Sequence, residues 1–229
     1  MISFSIQEII DLVLMSLILG VIFKDLIPMH MLLKKKQSSP FNLELKGGQY
    51  HYKSNSFFNK ILGYFDNDYW FSILVIAPAI VLHELSHKVV AQLLGLNATF
   101  YAAYKFLAFA LIMKLIFPFF IFFVPGYVMT MCTSAGPYCI ATAQGFMAKP
   151  FALASVAIAG PLANLVIYGI ATYMIKSYAK NTPAHQRNKT YLLALVITQK
   201  LNIFLFILNM LPIPGFDGWH FFTNLFKLF

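Results

Sequence analysis

Two histidines and a glutamate stand close together in an apolar stretch, where residues 83 to 87 read HELSH. On a helix, side chains four positions apart lie on one face, so His83 and His87 can bind one metal ion together. Glu84 between them projects close enough to hold a water beside that metal. Chance accounts poorly for the pattern, because the chain has only six histidines. It therefore indicates a metal site with a general base, and two core histidines are the weaker alternative.

A zinc ion needs at least one further protein ligand, and few donors follow Glu84. After that residue Asp217 is the only acidic side chain in the sequence. It follows Pro212 and Pro214, which prevent a regular helix from continuing and free the chain to turn the carboxylate inward. We therefore predict Asp217 as the third ligand of one zinc ion per chain. His220 lies nearby and is the less favoured candidate.

The elements that position these groups must lie in a membrane. The chain is 59% hydrophobic and 11% charged, whereas an ordinary soluble domain is about a quarter charged. Spanning the bilayer takes about 20 mostly apolar residues. The stretches that reach or approach this length are 6–27, 70–95, 150–175 and 190–212. A further stretch, 106–124, carries Lys114 and Pro118, so it either spans or is re-entrant.

The remaining segments divide the chain into three parts. Residues 1–28 lack a basic start and a small-residue cleavage site, which favours a retained N-terminal transmembrane helix over a signal peptide. Residues 29–69 are polar and predict an extramembrane loop or cap, with a hairpin possible around Gly47-Gly48. Residues 70–229 would form the core. Cys132 and Cys139 match no common zinc or redox spacing, and we interpret them as small buried hydrophobic side chains.

The net charge of +9 lies mainly in two loops, 34–60 and 176–189. These clusters are typical of headgroup contacts with a lipid bilayer, and no nucleic-acid motif accompanies them. Both loops should lie on one side, which requires an even number of crossings between them. That parity favours the re-entrant interpretation of 106–124. It also places the loops in the cytosol and the HELSH end of the helix outside.

Three motifs resemble the site-2 protease family of intramembrane zinc metalloproteases: HELSH, AIAGPLANL at 157–165 and NMLPIPGFDG at 209–218. The resemblance covers roughly residues 70–220. It implies an all-α polytopic membrane protein, with a three-helix metalloprotease core, an N-terminal transmembrane helix and the possible re-entrant segment. The motif asparagines Asn164 and Asn209 would support the substrate or the oxyanion.

The same resemblance implies a function. Zinc would be bound by His83, His87 and Asp217, with Glu84 as general base. The substrate would be a transmembrane segment of another protein, cut within or near the bilayer in regulated intramembrane proteolysis. The family usually places its zinc nearer the cytosol, which conflicts with the orientation that the basic loops indicate.

The sequence departs from the family pattern at three positions. Ser86 replaces a common glycine, Lys88 a common alanine and Trp219 a second glycine. None removes a ligand, but we expect Lys88 and Trp219 to alter access to the zinc.

Two other functions compete with proteolysis. A catalytically inactive homologue would bind client transmembrane helices without cutting them, but it would not require Glu84. A small transporter or channel would spread its polar groups along a route, often with inverted repeats, whereas here they converge. The substrate, the regulator, the membrane and the oligomeric state stay open.

Overall fold

The computed structural model describes residues 3–24, 67–117 and 125–229, and these are mostly helical. The helices are α1 (Ile6–Phe23), α2 (Asn67–Leu93), α3 (Tyr104–Ile116), α4 (Pro150–Asn181), α5 (Lys189–Asn209) and α6 (Asp217–Phe226). A 3-10 turn, Ala184–Gln186, joins α4 to α5. Two antiparallel ribbons lie between α2 and α4. They pair β1 (Asn97–Ala102) with β2 (Gly126–Met131) and β3 (Cys139–Thr142) with β4 (Gly145–Ala148).

Four of the described helices, α1, α2, α4 and α5, are long and apolar enough to cross a membrane. The predicted mostly helical fold is therefore confirmed, and the chain is a multi-pass membrane protein. Local signals explain where the helices begin. Ser5 and Glu8 form a capping box at the start of α1, and the Asn188 side chain accepts two backbone N–H bonds at the start of α5, which satisfies otherwise free donors.

Helix α3 lies in a segment whose two ends, in β1 and β2, are paired with each other. It has 13 residues, too few to span the bilayer, and it lies between two strands that pair with each other. Ala102 is directly opposite Gly126 in that pairing, so the segment between them begins and ends at one place. This arrangement favours the re-entrant interpretation of 106–124, as the parity argument does. Residues 118–124 and the possible hairpin at Gly47-Gly48 lie outside the described residues.

The two cysteines form a disulfide, which corrects their interpretation as buried hydrophobic side chains. Cys132 follows β2, Cys139 begins β3, and their Cα atoms lie 5.9 Å apart. The turn between them closes where the Gly136 and Cys139 backbones bond to each other, which brings the sulfurs together. The spacing could not reveal this contact because it depends on a ribbon that the sequence analysis did not predict.

Acidic side chains of α1 tie this helix to α2 and to β1. Glu8 forms a buried ion pair with Lys88 and accepts a 2.8 Å hydrogen bond from the Phe100 N–H. Asp11 accepts from the Ala102 N–H at 3.2 Å and from the Tyr104 hydroxyl at 2.7 Å. The outer edge of β1 is thus bonded to carboxylates, so the ribbon is fixed against α1.

Helix α4 lies at the centre of the bundle and packs against α2, α5 and α6. Most of its buried residues are small, including Ala152, Ala154, Ala157, Ala159 and Gly160. Small side chains let neighbouring helix backbones approach closely, and this packing matters in a bilayer, where lipid tails remove most of the hydrophobic driving force. Polar groups on α2 and α6 can therefore meet beside α4.

Candidate metal centre

Helix α2 directs two imidazoles into one buried space, as the HELSH spacing predicts. His83 and His87 are only 7% and 6% exposed, and the Nε2 atoms of their rings lie 3.2 Å apart. Both Nε2 atoms point toward α4 and the start of α6, because one helical face carries both side chains.

The other nitrogen of each ring faces an oxygen that can only accept a hydrogen bond. Nδ1 of His87 lies 2.7 Å from the Val156 carbonyl oxygen, and Nδ1 of His83 lies 2.5 Å from Oδ1 of Asn164. Each Nδ1 therefore carries the proton and donates it. In the neutral ring this leaves the Nε2 lone pair free, which is the form that binds a metal ion.

Asp217 completes the cluster from the first position of α6. Its Oδ2 lies 3.0 Å from Nε2 of His83 and 3.3 Å from Nε2 of His87. This oxygen can therefore join the two Nε2 atoms as a third metal ligand, in the ionised form that metal binding requires.

The turn before α6 brings this carboxylate into place. Gly215 has a φ of +97°, a left-handed conformation that glycine adopts without a Cβ clash. Gly218 lies so close to the backbone of Met210 and Leu211 that a Cβ there would be 2.6 Å from the Leu211 carbonyl oxygen. The motif after Asn209 therefore works as a compact turn that folds α6 back onto the end of α5.

The donor set fits a zinc ion. The candidate ligand atoms of His83, His87 and Asp217 all lie within 4.8 Å of one another. Zinc bonds of about 2.0–2.1 Å in a tetrahedron would place neighbouring ligand atoms about 3.3 Å apart, close to the separations found here. Without a cation, two lone pairs and a carboxylate would face each other at unfavourably short range.

Gly160 leaves space for an ion at this point. A Cβ added to Gly160 would contact Nε2 of His87 and lie 2.6 Å from Nε2 of His83. Any other residue would thus fill the space beside both lone pairs. The sequence analysis placed Gly160 in the motif at 157–165 but did not predict that it leaves space for a metal ion.

Glu84 lies on the same helical turn as the histidines and is 7% exposed. Its carboxylate interacts electrostatically with His83, His87 and Asp217. A buried carboxylate beside a candidate metal site is suited to accept a proton from water. Its role as general base remains a prediction.

Asn164 contacts a predicted ligand rather than an open substrate space. Its Nδ2 donates to Oδ1 of Asn202 at 2.9 Å and approaches the Ala79 carbonyl at 3.4 Å, while its Oδ1 accepts from His83. Both amide atoms are therefore used, which favours a positioning role over that of an oxyanion donor. Asn209 is half-buried, and its predicted role in substrate or oxyanion support remains a prediction.

Two expectations about neighbouring residues change. The His220 side chain is exposed and lies outside the cluster, so it is not brought to the site. Lys88 is 1% exposed and bonded to Glu8, which removes it from the space beside the histidines. The expectation that Lys88 alters access to the zinc was therefore wrong, because the sequence could not show that its partner lies 80 positions away.

Two of the three candidate ligands, His83 and His87, lie inside a helix that is long and apolar enough to cross a membrane. His83 stands ten positions before the end of the candidate span Asp68–Leu93, which corresponds to about 15 Å along a helix. A bilayer hydrocarbon core is about 30 Å thick. A polar group this far inside a helix that is apolar enough to span usually signals function.

Comparison with known proteins agrees with a metalloprotease. No family model and no solved structure matches the chain. A protein of Methanocaldococcus jannaschii named "Putative zinc metalloprotease MJ0611" is 28% identical over 147 residues. That match covers 64% of this chain and 66% of the relative, so the chain spans just under two thirds of the relative's length. The chain is therefore a distant homologue of a protein named as a zinc metalloprotease, with a His-His-Asp group that could hold the metal.

Proposed function

We propose that this chain is an intramembrane zinc metalloendopeptidase of the site-2 protease type. It would hydrolyse a peptide bond within or near a transmembrane segment of another protein. The observation that carries the proposal is the convergence of Nε2 of His83, Nε2 of His87 and Oδ2 of Asp217 in a bundle of helices that can cross a membrane. The distant relative's name and the buried Glu84 beside the cluster support it.

The residues of the site would have two separate roles, metal binding and proton transfer. His83, His87 and Asp217 would hold zinc as three protein ligands, which leaves a position open to water or substrate. A zinc ion held there would supply Lewis-acid activation of water and of the scissile carbonyl. Glu84 would take a proton from the attacking water at its carboxylate and return it to the leaving nitrogen, so that the proton balance closes.

The substrate must expose its backbone before it can be cut. A helix hides each carbonyl in a hydrogen bond to the N–H four residues later. A transmembrane segment with helix-breaking residues would therefore be the better substrate, since it unwinds at lower cost.

Cleavage of a model transmembrane substrate tests the proposal. The purified protein in detergent would be compared with Glu84→Gln, which keeps all three ligands, and with Asp217→Asn. We expect wild type to cut, Glu84→Gln to bind zinc while losing cleavage by at least about 100-fold, and Asp217→Asn to bind zinc weakly.

Two outcomes would redirect the proposal. If wild type binds zinc and Glu84→Gln cuts as fast as wild type, Glu84 is not the base and this mechanism is wrong. If wild type binds zinc but cuts none of a broad panel of helical substrates, binding of client transmembrane helices replaces proteolysis as the better account.

A further inference from the structure

Helix α5 carries a fully buried asparagine that has no part in the mechanism above. Asn202 is 0% exposed and stands in a helix apolar enough to span the bilayer. An amide in such a place destabilises the protein unless its polar atoms are hydrogen-bonded. The hydrogen bonds of the Asn202 side chain therefore indicate its role in the protein.

The hydrogen bonds of Asn202 connect the α5 backbone to a candidate metal ligand, and at each step the donor and the acceptor are fixed. Nδ2 of Asn202 donates to the Thr198 carbonyl at 2.7 Å. Because a carbonyl oxygen can only accept, Oδ1 of Asn202 faces the other way and accepts from Nδ2 of Asn164 at 2.9 Å. Oδ1 of Asn164 is thereby turned toward Nδ1 of His83.

The direction of this relay determines which nitrogen of His83 is free. With Oδ1 of Asn164 opposite it, Nδ1 of His83 keeps its proton and Nε2 presents a lone pair to the cluster. A reversed Asn164 amide would place Nδ2 opposite Nδ1, favour the other tautomer and put a proton on Nε2. That proton would have to leave before a metal could bind.

The two histidines differ in how they are held. His87 donates directly to a backbone carbonyl, that of Val156, which cannot reverse. His83 depends on a side-chain amide that can rotate. Without Asn202, the Asn164 Nδ2 group would retain only the 3.4 Å approach to Ala79.

We propose that Asn202 is a positioning residue for metal binding, which acts through the Asn164 amide to hold His83 in the tautomer that binds the ion. The inference rests on the proposed metal site. It extends that site to α5, which supplies no ligand.

Zinc affinity of purified variants, measured by competition with a chelator, tests this relay. Asn202→Leu keeps the size but removes both bonds, and we expect zinc to bind about 10–100-fold more weakly. Asn202→Asp should stay close to wild type, because a buried carboxyl favours its neutral form, which can donate to Thr198 and accept from Asn164. Asn202→Ser is a milder second variant, since its hydroxyl can bond its own helix but is too short to reach Asn164.

Asn224 offers a matched control. It is also buried and also donates to a carbonyl four residues earlier, that of His220, but it has no bond to the cluster. Asn224→Leu should leave zinc affinity unchanged. In an Asn164→Ala background, Asn202→Leu should cause no further loss, because the relay is already broken.

A second measurement needs no metal. Nitrogen-15 NMR of the imidazoles in the metal-free protein should show His83 protonated at Nδ1 in wild type and a mixture of tautomers in Asn202→Leu. The inference is overturned if a folded Asn202→Leu or Asn202→Ser variant binds zinc like wild type, or if Asn202→Leu weakens binding equally without Asn164. If wild type binds no zinc, the proposed function fails and the inference fails with it. If wild type binds zinc and the Asn202 variants bind it equally well, the inference alone fails, so the two failures are distinguishable.

Discussion

The candidate metal cluster and the Glu8–Lys88 network are both polar and share helix α2, which carries His83, His87 and Lys88, yet their chemistry is opposite. In the network, each carboxylate meets donors: Lys88 and the Phe100 N–H at Glu8, and the Tyr104 hydroxyl at Asp11. In the cluster, two lone pairs and a carboxylate face one another. Burial therefore does not distinguish a functional site from a structural one. A surplus of electron-pair donors does, since it must be balanced by a bound metal ion or by an added proton.

Filling the space between the donors should break the cluster and leave the network intact. Gly160→Ala would place a methyl group beside both Nε2 atoms. We expect it to weaken zinc binding more than about 100-fold, which is more than the removal of a hydrogen-bond partner of a ligand usually costs. Calorimetric zinc titration would measure it. Gly169→Ala on the same helix is the control, because nothing lies within 4 Å of its added Cβ. Equal zinc affinity of both variants would contradict the comparison.

Removing one charge of the network should destabilise the fold. Lys88→Met leaves Glu8 buried and unpaired, and we expect the free energy of unfolding to fall by about 3–5 kcal/mol. Glu8→Gln combined with Lys88→Met should restore much of it, because no lone charge remains and an oxygen still accepts from Phe100. Denaturant unfolding in micelles would measure both. We expect every variant of this set that folds to bind zinc nearly as well as wild type does. Loss of zinc binding in the double variant would show that the Glu8–Lys88 network and the candidate metal cluster are not independent.

The smallest effect should come from a single bond at the edge of the network. Tyr104→Phe removes one of the donors to Asp11, and we expect a loss of about 1.5 kcal/mol in unfolding free energy. Tyr101→Phe is the control, since Tyr101 is exposed and stacks on Tyr127.

The hydrogen bond between Tyr104 and Asp11 should also make the stability of the protein depend on pH. The hydrogen bond to Asp11, with burial second, raises the pKa of the Tyr104 hydroxyl. Its stabilising contribution is therefore complete below the ordinary pKa of about 10 and is lost as pH rises above it. Wild type should lose stability above this pH more steeply than Tyr104→Phe. Identical profiles would show that the bond contributes nothing.

The sequence predicted the centre of the site better than its surroundings. The spacing of His83 and His87 places both rings on one face by helix geometry alone, and few other carboxylates competed with Asp217. The roles of Asn164 and Lys88 depend on Asn202 and Glu8, which lie 38 and 80 positions away. No local pattern encodes such contacts. The ribbons escaped prediction because short apolar runs do not distinguish strands from helices, and the disulfide between Cys132 and Cys139 depends on them.

Zinc content of the purified chain tests the central claim most directly. Wild type should carry about one zinc per chain after exchange against a weak chelator, and His87→Ala and Asp217→Ala should each carry almost none. His220→Ala, which changes an exposed histidine near the site, should keep the metal. A wild-type chain that binds no zinc, or an Asp217→Ala chain that retains it, would contradict the account.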